Sequence, residues 1–192
     1  MQPFIDHART FPASRGTELG GLAAGQSPSV LFITCSDSRV VPSLITGAGP
    51  GELFELRTAG NIVPSYHAGP TSEAATVEYA IEVLGVSDIV VCGHSHCGAV
   101  GALVRGDDLS GVPAVRDWLG HAAEKPAGAQ DDPQVAEAVQ HHVLTQVMRL
   151  KSYPSVEARL QDGKLGLHAW FYEVHTGTVL AHRSESDSFE TL

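Results

Sequence analysis

The chain has 192 residues, 43% of them hydrophobic, enough for a single domain with a sizeable buried core spanning residues 1–192. Its 12 basic and 22 acidic residues leave a formal net charge of −10, which repels phosphate backbones and argues against a general nucleic-acid binder or a membrane-surface protein. No apolar run approaches the roughly 18 to 20 residues that span a bilayer, and the first residues lack the basic and apolar stretches of a signal peptide, so the cytoplasm is the expected compartment.

Residues 1–25 are polar and glycine-rich, an N-terminal arm or short helices rather than central core. Val30-Leu31-Phe32-Ile33-Thr34 is short, apolar and rich in β-branched and aromatic residues, the pattern of a strand buried on both faces, and it delivers Cys35 at its end. Leu53 to Leu56 and Ile89 to Cys92 read as two more strands. Between them, Ala74, Val77, Ile81 and Leu84 recur at helical spacing, with Gly85 as the C-cap. Strand, helix, strand in this order implies a parallel sheet with a right-handed crossover. Glu124 to Asp131 is the best candidate for a mobile loop. Asp132 to Tyr153 reads as the longest helix, with Asp132 as N-cap, Pro133 at the first helical position and Pro154 ending it; Ala136, Val139, Val143, Val147 and Leu150 form its apolar face. Ala169 to Val174 and Thr178 to Ala181 form a hairpin turned at His175-Thr176-Gly177, and the polar tail 184–192 is expected to fray. The predicted class is α/β, a mostly parallel sheet with an antiparallel edge strand and helices on both faces.

Three cysteines are an odd number, and with no secretory signal a metal site or simple burial explains them better than disulfides. Cys35-Ser36-Asp37-Ser38-Arg39 follows the first strand and His94-Ser95-His96-Cys97-Gly98 the third, the edge where open α/β sheets bind ligands. Two thiolates and one imidazole, Cys35, Cys97 and His94, suit zinc, and three protein ligands leave a tetrahedral ion one open position, which points to catalysis. Cys92 lies inside its strand and is expected to be structural. If that strand continued, Cys92, His94 and His96 would share a face and form a rival ligand set, but Gly93 and Cys97-Gly98 favour a turn. The remaining histidines, the His141-His142 pair among them, suit surfaces or hydrogen bonds. Asp37 stands within reach of the open metal position, and a bidentate Arg39 would hold it off the metal, ionised and aimed as an acceptor for metal-bound water.

These segments, with Gly25-Gln26-Ser27-Pro28, Pro50-Gly51-Glu52-Leu53-Phe54 and Glu78-Tyr79-Ala80, resemble the β-class carbonic anhydrases from about Gln26 to Val104 and more weakly to the final hairpin. The resemblance implies zinc-dependent reversible hydration of carbon dioxide to bicarbonate and a proton, with one Zn2+ per chain on Cys35, His94 and Cys97 and the family's Asp-Arg pair at Asp37 and Arg39. It also implies a substrate pocket of the plant-like, open type, since the matching Gln26, Phe54 and Tyr79 are all present: an amide donor for a bicarbonate oxygen and an apolar wall for uncharged carbon dioxide. In the bicarbonate-regulated type a tryptophan precedes the first cysteine by three residues; here Phe32 stands there, although Arg57 matches another member of that regulatory site. The family assembles as homodimers or tetramers with active sites at the subunit interface. Carbonyl sulfide or carbon disulfide hydrolysis on the same metal site is the alternative activity, and a non-catalytic zinc protein the alternative class.

Overall fold

A computed structural model of the chain describes residues 1–66, 71–122, 128, 132 and 134–192. Its centre is a six-stranded sheet in the order β2-β1-β3-β4-β5-β6. The strands are β1 (Val30–Cys35), β2 (Leu53–Thr58), β3 (Asp88–His94), β4 (Gly166–Tyr172), β5 (Val179–Arg183) and β6 (Ser188–Thr191). The first four run parallel, and β5 and β6 add antiparallel to the edge. β1 and β3 are central and almost wholly buried, which is why their sequences are continuous apolar runs rather than alternating ones.

Period-two geometry divides the two central strands between two clusters. Leu31, Ile33, Ile89 and Val91 join the main core, whereas Phe32, Val90 and Cys92 join a smaller cluster with Val30, Trp170 and Tyr172, built from strand residues alone. The main core is closed by α3 (Ser72–Glu78), α4 (Gly98–Arg105), α6 (Ala136–Leu150) and α7 (Pro154–Gln161), through residues such as Val77, Val100, Val139, Val143 and Val156. α6 lies tight on the sheet at Gly93: a Cβ there would overlap the side chains of Val139 and Val143, so only glycine permits this approach.

Several elements depart from the sequence reading. The predicted helix through Ala74 and Leu84 changes at Tyr79 into a turn of π-helix, Tyr79–Leu84, before Gly85 closes it in the left-handed conformation. The long helix begins at Ala136, not beside Asp132. Val135 takes φ 47, and the Asp132 carboxylate accepts the amides of Gln134 and Ala136 across this bend. That helix stops at Leu150, and Pro154 opens α7 instead of ending α6, as its missing N–H allows at a first helical position. The tail does not fray: Ser188–Thr191 pairs with β5, because the edge of β5 offers unpaired backbone groups to a chain returning through a turn. The N-terminal arm is one 18-residue helix, α1 (Gln2–Leu19), followed by a 3-10 turn at Gly20–Ala24, and it leaves Phe4 and Phe11 exposed. Pro133 and, apart from Gly128, the predicted loop 124–131 lie outside the described residues. The two shorter helices are α2 (Pro42–Thr46) and α5 (Pro113–Leu119).

Candidate metal centre

Cys35 is the last residue of β1, His94 the last of β3, and Cys97 immediately precedes α4, so all three stand at the carboxyl edge of adjacent parallel strands. All are buried, and their ligating atoms lie within 4.8 Å of one another. The His94 Nδ1–H donates to the Ser95 carbonyl at 2.9 Å, which leaves Nε2 as the acceptor nitrogen; that Nε2 is buried with no hydrogen-bond partner among the described residues. A buried, orphaned imidazole nitrogen beside two buried sulfurs is a costly arrangement for protein alone and a fitting one for a divalent cation. The Cys35 thiol is pushed down to about 4, chiefly by the Cys97 thiol, with His94 and the Gly60 amide adding to this against the opposing effect of burial. Cys97 moves up, through its hydrogen bond to Cys35 and through burial, although the amides of Val100 and Ala99 at the start of α4 favour its anion. A cation between the sulfurs would resolve this conflict by stabilising both thiolates at once.

Asp37 and Arg39 form the predicted bidentate pair: Nε donates to Oδ1 at 2.9 Å and an Nη donates to Oδ2 at 2.7 Å, while the Arg39 backbone amide also donates to Oδ1. This guanidinium holds the Asp37 carboxyl well below the usual carboxylate range. Asp37 Oδ2 lies 3.9 Å from His94 Nε2, so the carboxylate borders the metal position without filling it. Arg39 also donates to the His96 carbonyl, which joins the two motif loops.

Arg57, on β2, donates to the carbonyls of Cys35, Asp37 and Val40 and thereby fixes the loop that carries the acid. The Gly60 amide donates to the Cys35 sulfur at 3.3 Å. On α6, His142 and Gln146 are fully buried polar residues that hold the loop containing Gly60. Sequence reasoning assigned neither of them to the site, and an apolar face carrying two polar side chains was the only signal for them.

The predicted substrate residues sit elsewhere in the chain. Phe54 and Tyr79 face one another with ring centroids 5.9 Å apart, and Gln26 and Tyr79 line one hollow of about 540 Å3 with Leu22 and Leu84. Phe54 pairs in register with Leu31, four residues before Cys35 on β1, so at ~3.3 Å per residue its backbone stands about 13 Å back along the sheet from the metal ligands. Cys92 packs with Phe32 and Val90 outside the Cys35, His94, Cys97 group, and burial pushes its thiol up to about 12, so it is an inert core residue. His96 turns away from the strand at φ 59 and its ring meets that of His175 edge-on, which breaks the geometry the rival ligand set required.

A family model described as carbonic anhydrase matches residues 30–179. A carbonic anhydrase of Pseudomonas aeruginosa is 44% identical, covering 98% of this chain and 89% of that protein. One of Synechococcus elongatus is 48% identical over 95% of this chain and 71% of its own length. Among solved structures, the β-carbonic anhydrase CcaA superposes with a TM-score of 0.91 at 38% identity, covering 100% of this chain and 99% of that one. A tetrameric β-carbonic anhydrase from Sordaria macrospora gives 0.80 at 28% identity, covering 94% of this chain and 97% of that one. With the α/β sheet, the buried Cys-His-Cys group and relatives alike over nearly its whole length, the chain belongs to the β-class carbonic anhydrase family.

Proposed function

We propose that this chain holds one zinc ion through Cys35, His94 and Cys97 and catalyses the reversible hydration of carbon dioxide to bicarbonate and a proton. The donor set carries this function: two buried sulfurs and a buried imidazole nitrogen that has no hydrogen-bond partner among the described residues would suit zinc, and three protein donors would leave it a position for water or substrate. Bound there, zinc supplies a Lewis acid that makes water nucleophilic near neutral pH. Asp37, kept ionised by Arg39, can only accept hydrogen bonds, so it orients a proton-bearing nucleophile beside the metal position. Arg39 keeps that carboxylate from swinging onto the metal itself.

Gln26 donates its amide hydrogen to a bicarbonate oxygen, and Phe54 and Tyr79 form the apolar wall that receives carbon dioxide. Because these residues lie away from the metal ligands of their own chain, they serve the site of a second copy, and the working unit is a homodimer or a higher multiple of it. Two features support such an assembly. The sheet face carrying Phe32, Val90 and Trp170 opens on a hollow of about 640 Å3, and α1 presents Phe4 and Phe11 with no core to bury them. No helix among the described residues is long and apolar enough to cross a membrane, and we assign the enzyme to the cytoplasm as part of the same proposal. Hydrolysis of carbonyl sulfide or carbon disulfide is the weaker assignment, since the relatives at 44% and 48% identity are carbonic anhydrases.

Stopped-flow measurement on zinc-loaded protein, with carbon dioxide and carbonyl sulfide as separate substrates, tests the assignment. Rapid hydration of carbon dioxide and slow turnover of carbonyl sulfide are expected. A stoichiometric zinc protein without hydration activity would refute it.

A further inference from the structure

The loop that follows β2 is held by a row of polar side chains, all but Thr58 from distant parts of the chain. The Trp118 indole donates to the Ala59 carbonyl, His142 to Gly60, Thr58 to Ile62, Arg149 to Val63, and the Tyr153 hydroxyl to Pro64. His142, Gln146 and Arg149 are spaced four and three residues apart on α6, so they project from one face of the helix. His142 is 1% exposed and Gln146 0%. Burying these two polar side chains beside Ala138, Val139, Val143 and Leu150 is unfavourable unless their hydrogen bonds are needed.

The chemistry of the partners fixes the direction of each bond. A carbonyl only accepts, so His142 must carry its proton on Nε2, 2.9 Å from the Gly60 oxygen, and Nδ1 is the acceptor. Gln146 takes the Val63 amide on Oε1 at 2.9 Å, which turns its NH2 toward His142 Nδ1 at 3.5 Å. Gly60 itself has φ 71, and a Cβ there would meet the Ala99 Cβ at 3.0 Å, so glycine is required for its amide to reach the Cys35 sulfur. The chain of contacts is continuous from Gln146 through His142 and Gly60, whose carbonyl and amide lie on the peptides either side of its Cα, to the Cys35 sulfur.

We propose that His142, oriented by Gln146, is a positioning residue of the metal centre: by holding the Gly60 carbonyl it fixes one side of the glycine whose amide, on the preceding peptide anchored by Trp118 at the Ala59 carbonyl, donates to the Cys35 sulfur, and so keeps that amide on the sulfur. This rests on the zinc assignment above. An N–H donated to the sulfur favours the thiolate over the thiol and fixes it in place for a metal; losing such outer support costs metal sites about 10- to 100-fold in affinity or activity.

The test uses the full chain loaded with zinc or with cobalt(II), as wild type, His142→Phe, His142→Gln and Tyr153→Phe. Zinc affinity is read by competition with a chelator, the thiolate-to-cobalt charge-transfer band by absorption, and stability by urea unfolding. His142→Phe should weaken zinc binding about 10- to 100-fold and move the charge-transfer band. His142→Gln, whose amide N–H reaches where Nε2 does, should restore both. Tyr153→Phe, which loosens the same loop at Pro64, should lower stability and leave affinity and band unchanged. Wild-type affinity and spectrum in His142→Phe would overturn the proposal, and so would an equal loss in Tyr153→Phe. Should His142→Phe fail to fold, imidazole nitrogen shifts of the zinc-loaded wild type decide: the Nε2–H tautomer supports the role and the Nδ1–H tautomer overturns it. A wild type that takes up no zinc defeats the zinc assignment and this inference with it, whereas a zinc-loaded wild type matched by its His142→Phe variant defeats the positioning role alone.

Discussion

His142 also makes the stability of this protein depend on pH in a predictable direction. Burial pushes its imidazole down to about 4 from an ordinary value of 6.5, against the opposing hydrogen bond to Gly60 and with the help of the nearby Arg149 charge. Above 6.5 the ring is neutral in both folded and unfolded chains, so its contribution is fully present. Between 6.5 and about 4 the unfolded chain binds a proton that the folded one refuses, and stability falls as pH falls. At about 1.4 kcal/mol per pH unit, the gap between 6.5 and about 4 comes to about 3 kcal/mol, a large part of the stability of a domain this size. Urea unfolding of zinc-loaded wild type and His142→Gln, from pH 7.5 to 4.5, isolates this term, because both proteins share every other titrating group. The wild type should lose roughly 2 to 3 kcal/mol more than the variant over that range. A constant difference between the two curves would show that His142 is not buried in the neutral form.

Replacing Cys35, His94 or Cys97 by alanine should abolish both zinc content and hydration; full zinc by metal analysis in all three variants would refute the ligand assignment. Cys92→Ser should keep its zinc and lose about 1 to 3 kcal/mol in urea unfolding, since a hydroxyl replaces a thiol at a position 0% exposed. Arg39→Ala should also keep zinc while losing most hydration activity, and its stability should change by no more than about 1 kcal/mol because the arginine side chain is 45% exposed. A chain carrying Cys35→Ala and one carrying Phe54→Ala with Tyr79→Ala should each be nearly inactive, yet regain activity when assembled together; a mixture as inactive as its components would show that each chain uses its own aromatic residues.

The parts of this molecule legible in the sequence are those whose signal is local. β1 and β3 announce themselves as short apolar runs, and the residues at their ends supply Cys35 and His94 by strand geometry alone. Asp37 and Arg39 are two positions apart, so their pairing needs no tertiary information. The errors fall where distant contacts decide. Ser188–Thr191 has no apolar signature of its own, and it becomes a strand because β5 offers an edge. The start of α6 misleads because Asp132 has the chemistry of an N-cap but serves it across the bend at Val135. His142 and Gln146 interrupt an apolar helix face in a way that periodicity treats as noise, and only the return of the loop after β2 shows what they bond.

Register explains why the metal ligands and the residues proposed to meet substrate stand apart. β1 and β2 pair in parallel from Val30 with Leu53 to Cys35 with Thr58, so whatever precedes Cys35 by four residues on β1 is matched at Phe54 on β2. The about 13 Å between those levels exceeds the reach of a phenylalanine side chain, and no rotamer of Phe54 closes it. Tyr79 is tied to the same level by its ring contact with Phe54, and Gln26 by the hollow it shares with Tyr79. A parallel sheet cannot slip to bring them nearer, since a shift of one residue would turn Leu31 and Ile33 out of the main core and Phe32 into it. The fold therefore fixes the Cys35, His94 and Cys97 group at one level of the chain and the Phe54–Tyr79 pair at another. In the assembly proposed above, a second chain is what brings the aromatic wall of one copy to the metal-ligand level of the other.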